Sequence, residues 1–277
     1  MKKRIQKFAI WLSVCLMSAV TTGCITIFSD PLTVQRDITY STIDEISLKG
    51  DLYFPKSPSA STLNSALPAV LVVHGGGWNK KSGDMSGVSK DLAKAGFVVF
   101  NISYRLAPQH LYPAALEDVK AAFIWLKNNA SQYSIDTNQI SVWGYSAGAH
   151  LVLLAALDDD LNVKSIVAGG TPADLTAWPK SPLVTKFLGK TMAEDLELWK
   201  KASPIFHVGK DYPPTYLYHG EWDSLVEPDQ MDKMAGALKD KGLTVETYTA
   251  KYLGHVTTYL LSQESIDRGI NFIKKHL

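Results

Sequence analysis

The chain has 277 residues, 46% of them hydrophobic and 20% charged, with a net charge of +1. That length suits one α/β domain with a substantial core and is short for two. A balanced charge, with no basic stripe interleaved with aromatics, removes the electrostatic case for a nucleic-acid partner.

In chain order, Lys2, Lys3, Arg4 and Lys7 come first, followed by an apolar run over 8–20. A charged start and an apolar stretch too short to span a bilayer predict a signal peptide. The run ends in Thr21-Thr22-Gly23-Cys24, which resembles the lipobox of bacterial lipoproteins, with Thr21 where leucine is usual. The resemblance implies cleavage after residue 23, a diacylglycerol on the Cys24 thiol and an exported, membrane-anchored protein. An ordinary secretory signal is the plainer alternative. Ile25, in place of an inner-membrane retention aspartate, points to the outer membrane where the host has one. Cys15 would leave with the signal, so the mature domain would keep no thiol for a disulfide, a nucleophile or a metal site. The expected organisation is a signal over 1–23, a tether over 24–36 and one domain over 37–277.

Two strand-like segments, 38–48 and 51–54, flank Lys49-Gly50 and predict an antiparallel hairpin turning there. A Ser- and Pro-rich stretch over 56–67 reads as an exposed loop. Apolar runs at 69–73, 97–102, 139–143, 164–168, 215–219 and 244–249 fit strands buried on both faces. Helical patterns fall between them, at 86–94, 113–128, 147–157, 228–241 and 257–275. Alternation of this kind predicts a mostly parallel, doubly wound α/β sheet with ligand sites at the strand C-terminal ends. The segment 172–206 breaks the rhythm with prolines, Trp178, Phe187 and one amphipathic helix near 193–201, and reads as a small lid.

Gly144-Tyr145-Ser146-Ala147-Gly148 lies between a strand pattern and a helix pattern. A serine on such a turn has its hydroxyl pushed out of the sheet, toward the positive end of the following helix. Serine needs a base, and the base an orienting acid. Among seven histidines, His255 follows the last strand on a loop; His74 belongs to a glycine motif, His219 to a strand end, and His150 reads as packed against the sheet. Asp223 follows the strand at 215–219 and is the expected acid, with Glu221, Glu227 and Asp174 as fallbacks. His74-Gly75-Gly76-Gly77-Trp78 directly follows the strand at 69–73, and its glycines can turn backbone N–H groups, with that of Ala147, toward developing negative charge. A phosphate loop is the competing reading, but no Lys-Ser/Thr pair follows.

Together with Ser103-Tyr104-Arg105-Leu106-Ala107-Pro108 and Tyr112 to Asp118, these motifs make the chain resemble the hormone-sensitive-lipase-like esterases. It is equally similar to the HGGxW carboxylesterase and arylformamidase branch of the α/β-hydrolase fold. The likeness runs from about residue 70 to 255. It implies a triad of Ser146, Asp223 and His255 and oxyanion donors at Gly76, Gly77 and Ala147, with no metal and no cofactor. The helical N-terminal cap of the lipase-like members is missing, since 25–68 reads as strands and loop. Tyr145 and Trp78 are expected to contact substrate, under a lid lined by Trp178 and Phe187. The predicted activity is hydrolysis of carboxylic esters with small to medium acyl or aromatic groups. Arylformamidase or amidase action and polysaccharide O-deacetylation use the same constellation. A non-catalytic binding protein on a hydrolase scaffold is the reading from another class, although no triad residue is missing. Oligomeric state has no signature in the sequence.

Overall fold

A computed structural model describes residues 32–55 and 66–277. Cys24, the signal and most of the expected loop at 56–67 lie outside the described residues. The strands are β1 Leu32–Ile43, β2 Ile46–Pro55, β3 Leu67–Val73, β4 Val98–Ile102, β5 Ile135–Tyr145, β6 Ile166–Gly169, β7 Thr215–Gly220 and β8 Val245–Ala250. They form one eight-stranded sheet in the order β1-β2-β4-β3-β5-β6-β7-β8. The pairs β1–β2 and β2–β4 are antiparallel, and the remaining neighbours are parallel. The helices are α1 Ser86–Lys94, α2 Ala114–Asn128, α3 Ala130–Tyr133, α4 Ala147–Ala155, α5 Pro182–Leu188, α6 Leu196–Lys201, α7 Asp229–Asp240, α8 His255–Leu261 and α9 Gln263–Lys275.

Period-two alternation along the buried strands sorts the core into two layers. Ala69, Leu71 and Val73 of β3 face the layer covered by α2, α4 and α7. Val70 and Val72 face the opposite layer, where Leu92 of α1 and Ile270 and Ile273 of α9 close the sheet. A strand sealed on both faces has no solvent side, which is why these runs are apolar throughout.

The N-terminal hairpin differs from expectation in two ways. Its turn is at Asp44 and Glu45, with φ of 48° and 66°, between the paired Ile43 and Ile46. Two successive left-handed residues make the tight two-residue turn that suits the twist of the strands. Gly50, read as a turn glycine, lies inside β2, where an added Cβ would come within 2.6 Å of the Phe100 ring. Its role is close approach. In addition, β1 begins at Leu32, so residues 32–36, expected in the tether, belong to the sheet.

The insertion is richer than expected. It carries α5 as well as α6, each with a serine or aspartate N-cap: Ser181 accepts from the Val184 N–H, and Asp195 from the Leu198 N–H. The final helical stretch is split at Ser262 into α8 and α9. Among the described residues no helix is long and apolar enough to cross a membrane.

Candidate active site

Four loops at the C-terminal ends of β3, β5, β7 and β8 converge. On the first turn after β5, Ser146 takes φ 56° and ψ −122°, a conformation a side-chain-bearing residue holds only when its surroundings impose it. They do so by close backbone approach. A Cβ on Gly144 would lie 2.3 Å from the Gly148 carbonyl, and one on Gly148 would lie 2.1 Å from that of Val73. Nothing larger than glycine fits at either position. The Ser146 N–H donates to the Gly169 carbonyl at 2.7 Å, which fixes the turn against β6.

His255, expected on the loop before a helix at 257, is instead the first residue of α8. Its Nε2 is 2.9 Å from Ser146 Oγ, and its Nδ1 is 2.6 Å from Asp223 Oδ2. A carboxylate only accepts, so Nδ1 carries the proton and bare Nε2 can accept from the serine hydroxyl. The Tyr145 hydroxyl donates to the His255 carbonyl at 2.6 Å, and its ring lies 5.2 Å from the imidazole. Tyr145 forms part of the cavity wall, but its one polar atom is committed to holding His255.

Asp223 is buried and fully engaged. Its Oδ1 accepts from the Leu225 and Val226 N–H groups at 3.0 and 2.9 Å. Its Oδ2 receives His255 and lies 3.2 Å from Nε2 of His219. Burial alone would push this carboxyl up. The adjacent His219 imidazole, whose Nε2–H donates to the Val226 carbonyl at 2.8 Å, and the bonds from His255 and the Val226 amide outweigh it and hold the group well below the usual carboxylate range. The acid is therefore held in its ionised form. The other carboxylates are occupied elsewhere: Glu221 with the Tyr252 N–H, Glu227 with the Trp178 indole, and Asp174 with Thr176.

His219 was not singled out by its position at a strand end, yet it is fully buried and touches the acid. The i,i+4 spacing of His219 and Asp223 was the only available signal. His150 also departs from expectation. Its ring is held by the glycine loop and the insertion, with Nδ1 accepting from the Trp78 indole N–H at 3.2 Å and Nε2 donating to the Ala202 carbonyl at 2.6 Å. Burial lowers its pKa to about 4, so it stays neutral.

The glycine loop lies directly beside the serine: a Cβ on Gly75 would be 3.1 Å from Ser146 Cβ. Gly76 takes φ 119°, open to glycine alone. Among the described residues the Gly76 and Gly77 N–H groups have no protein acceptor. Ala147 opens α4, so its N–H is one of the orphan donors of a helix N-terminus. Three unspent backbone donors thus belong to the loops flanking Ser146, the arrangement an oxyanion needs.

These loops open on a cavity of about 670 Å³. Its apolar wall includes Trp178, Leu183, Leu225, Val226, Val256 and Leu260. One aromatic is placed otherwise than expected. Phe187 is outside the lining and stacks beneath Trp78, with ring centroids 4.5 Å apart and planes 12° apart. Trp78 reaches the cavity but is only 3% exposed, and its indole N–H is spent on His150. It supports the loop more than it can contact a ligand.

Fold and site geometry together define an α/β-hydrolase. The BD-FAE family profile matches residues 51–238, more than half of the chain, and the chain belongs to that family. Among relatives, the esterase LipQ of Mycobacterium tuberculosis is 30% identical over 65% of this chain and 48% of its own length. An acetyl esterase of Salmonella typhi is 28% identical over 65% of this chain and 60% of its own. The chain spans about half the length of the first of these relatives. Among solved structures, a truncated carbohydrate esterase from gut microbiota superposes with a TM-score of 0.78 at 23% identity, covering 89% of this chain and 97% of that one. A bacterial heroin esterase gives 0.74 at 23% identity, covering 91% and 85%. At that identity the structural likeness bears on the fold.

Proposed function

We propose that this protein is a serine carboxylesterase in which Ser146 is the nucleophile, His255 the base, Asp223 the orienting acid, and the Gly76, Gly77 and Ala147 amides the oxyanion donors. The observation that carries this reading is the Ser146–His255–Asp223 chain of 2.9 and 2.6 Å contacts at the mouth of an apolar cavity. Relatives named as esterases support it. As Ser146 Oγ attacks the ester carbonyl, its proton passes to His255 Nε2 and the carbonyl π electrons move to an oxyanion held by the three amides. The carbonyl re-forms, the C–O bond to the alcohol breaks, and His255 returns the proton to the departing oxygen. Water then repeats the sequence on the acyl-enzyme, with His255 taking a proton from water, and frees the acid and Ser146. Ionised Asp223 stabilises the imidazolium formed in each half.

The substrates we assign are esters with small to medium acyl or aromatic groups. Leu183 supports this, because its side chain stands so close to Gly77 that an added Cβ there would meet it at 2.9 Å. Space next to that amide is therefore short. A series of p-nitrophenyl esters, run beside anilides and N-formylkynurenine, should show turnover highest on short and medium acyl chains and falling on long ones, in keeping with the Leu183 approach to Gly77. Faster hydrolysis of long-chain esters would overturn the size assignment, and faster cleavage of the amides would overturn the ester assignment.

We also assign export and anchoring through a lipid on Cys24, on the strength of the charged start, the apolar run and the lipobox-like ending. In cells fed a labelled fatty acid, the full chain should take up label and fractionate with membrane, and Cys24→Ser should do neither. Equal labelling of the Ser variant would end this assignment.

A further inference from the structure

We propose that His150 is a positioning residue of the site: its imidazole, clamped between the Trp78 indole and the Ala202 carbonyl, fixes the loop of Gly76 and Gly77 against the helix that begins just after Ser146. This rests on the hydrolase reading above and adds a residue that touches neither substrate nor the reacting atoms.

Three segments distant in sequence meet on this one ring. His150 is on α4, and its N–H donates to the Ser146 carbonyl at 3.0 Å, so the imidazole stands one helical turn from the nucleophile. Trp78 ends the glycine loop. Ala202 follows α6 at the far end of the insertion. The ring is fully buried, with Nε2–H on the Ala202 carbonyl and bare Nδ1 on the Trp78 indole N–H, so no polar atom is left over for a ligand. The position demands a donor on one side of a flat ring and an acceptor on the other, which one neutral histidine tautomer supplies.

The loop needs such a brace. Trp78 has φ 60° and Gly77 φ 58°, so two successive residues hold a left-handed backbone. For a bulky residue like Trp78 that conformation lasts only where its surroundings over-determine it. Its ring is stacked on Phe187 of α5 and set edge-on to His150, with centroids 5.0 Å and planes 78° apart. Turning the indole away would release the backbone that aims the Gly77 amide. Catalytic donors displaced by about 1 Å lose roughly a hundredfold in rate, so a brace of this kind has leverage on turnover that ordinary core packing lacks.

The test is a double-mutant cycle on the full chain with His150→Phe and Trp78→Phe, each keeping a ring in place while removing one partner of the hydrogen bond. The readouts are kcat and KM on p-nitrophenyl acetate and the rate at which a fluorophosphonate labels Ser146. Each single variant is expected to lose roughly ten- to a hundredfold in kcat and in labelling rate, with KM within about threefold. The double variant should be no slower than the poorer single, and His150→Gln, which keeps a donor and an acceptor, should recover part of the loss. A folded His150→Phe within about twofold of wild type, losses that multiply in the double variant, or a KM effect with kcat intact would each overturn the proposal. Where His150→Phe does not fold, an unchanged rate in Trp78→Phe overturns it alone. Wild-type protein that takes the label but hydrolyses no ester would retire the esterase reading and leave the coupling measurable in the labelling rate.

Discussion

Ser146→Ala is expected to hydrolyse p-nitrophenyl acetate at least about a thousandfold more slowly than the wild-type chain. Removing Oγ leaves His255 with no nucleophile to deprotonate, since its Nε2 has Ser146 Oγ as its partner and its Nδ1 is committed to Asp223. What survives is the oxyanion cluster and the cavity, which can still polarise a bound ester toward water. That residual route explains why the loss is large and finite. The variant should stay folded, because the strained backbone at residue 146 is imposed by the approaches of Gly144 and Gly148 and by the bond to Gly169, none of which involves the hydroxyl. Circular dichroism and melting should therefore match wild type. Undiminished hydrolysis in a folded Ser146→Ala protein would remove the serine mechanism altogether.

Asp118→Ala is expected to destabilise the domain by about 3–5 kcal/mol, the usual result of orphaning one member of a buried ion pair. Asp118 is fully buried and the Arg105 side chain only 12% exposed. The carboxylate takes the Arg105 Nε at 3.0 Å and Nη2 at 2.7 Å, and also the Arg105 backbone N–H at 2.8 Å. Deleting it leaves a largely desolvated guanidinium whose one remaining hydrogen bond among the described residues is to the Ala114 carbonyl at 3.3 Å. In a domain of this size each kcal/mol moves the midpoint by about 2–4 °C, so melting should fall by roughly 10 °C. The site would feel the change too, because the same segment supports the glycine loop: the Tyr104 hydroxyl donates to the His74 carbonyl and the Ala107 N–H to that of Trp78. Replacing both charges with apolar residues, as Arg105→Met with Asp118→Leu, should recover much of the lost stability. A loss below about 1 kcal/mol in Asp118→Ala would show that the pair is not the clamp its geometry describes.

The same pair explains why two separate motifs, Ser103 to Pro108 and Tyr112 to Asp118, stood out in the sequence: they are the two sides of one ion pair. Much else was legible for local reasons. Helix α1 spans 86–94 as its pattern predicts, and the buried strands are near their apolar runs because a strand sealed on both faces has no choice of composition. The serine turn could be read because its glycine-serine-glycine spacing is local, although only Gly144 answers to a carbonyl a few residues away and Gly148 answers to that of Val73 on β3. Where local chemistry was ambiguous, the reading failed. Lys49-Gly50 looked like a turn, but the glycine answers to the ring of Phe100, which is fifty residues downstream. The last helical pattern looked continuous, although the chain bends at Ser262 so that α8 can carry His255 to Ser146 and α9 can seal the sheet.

Residue type, motif order and the sequence of strands and helices were thus written in short-range patterns of polarity and glycine. Partnership was not. Ser146 and His255 are 109 residues apart, Trp78 and His150 72, and Ala202 is 52 from His150. Such pairs exist only once a parallel sheet has brought the ends of β3, β5, β7 and β8 to one edge. Hence His150, ordinary in sequence, acquired its place from tertiary packing alone. Its two ring nitrogens bond to the Trp78 indole and the Ala202 carbonyl, neighbours that the fold supplies and no local pattern specifies.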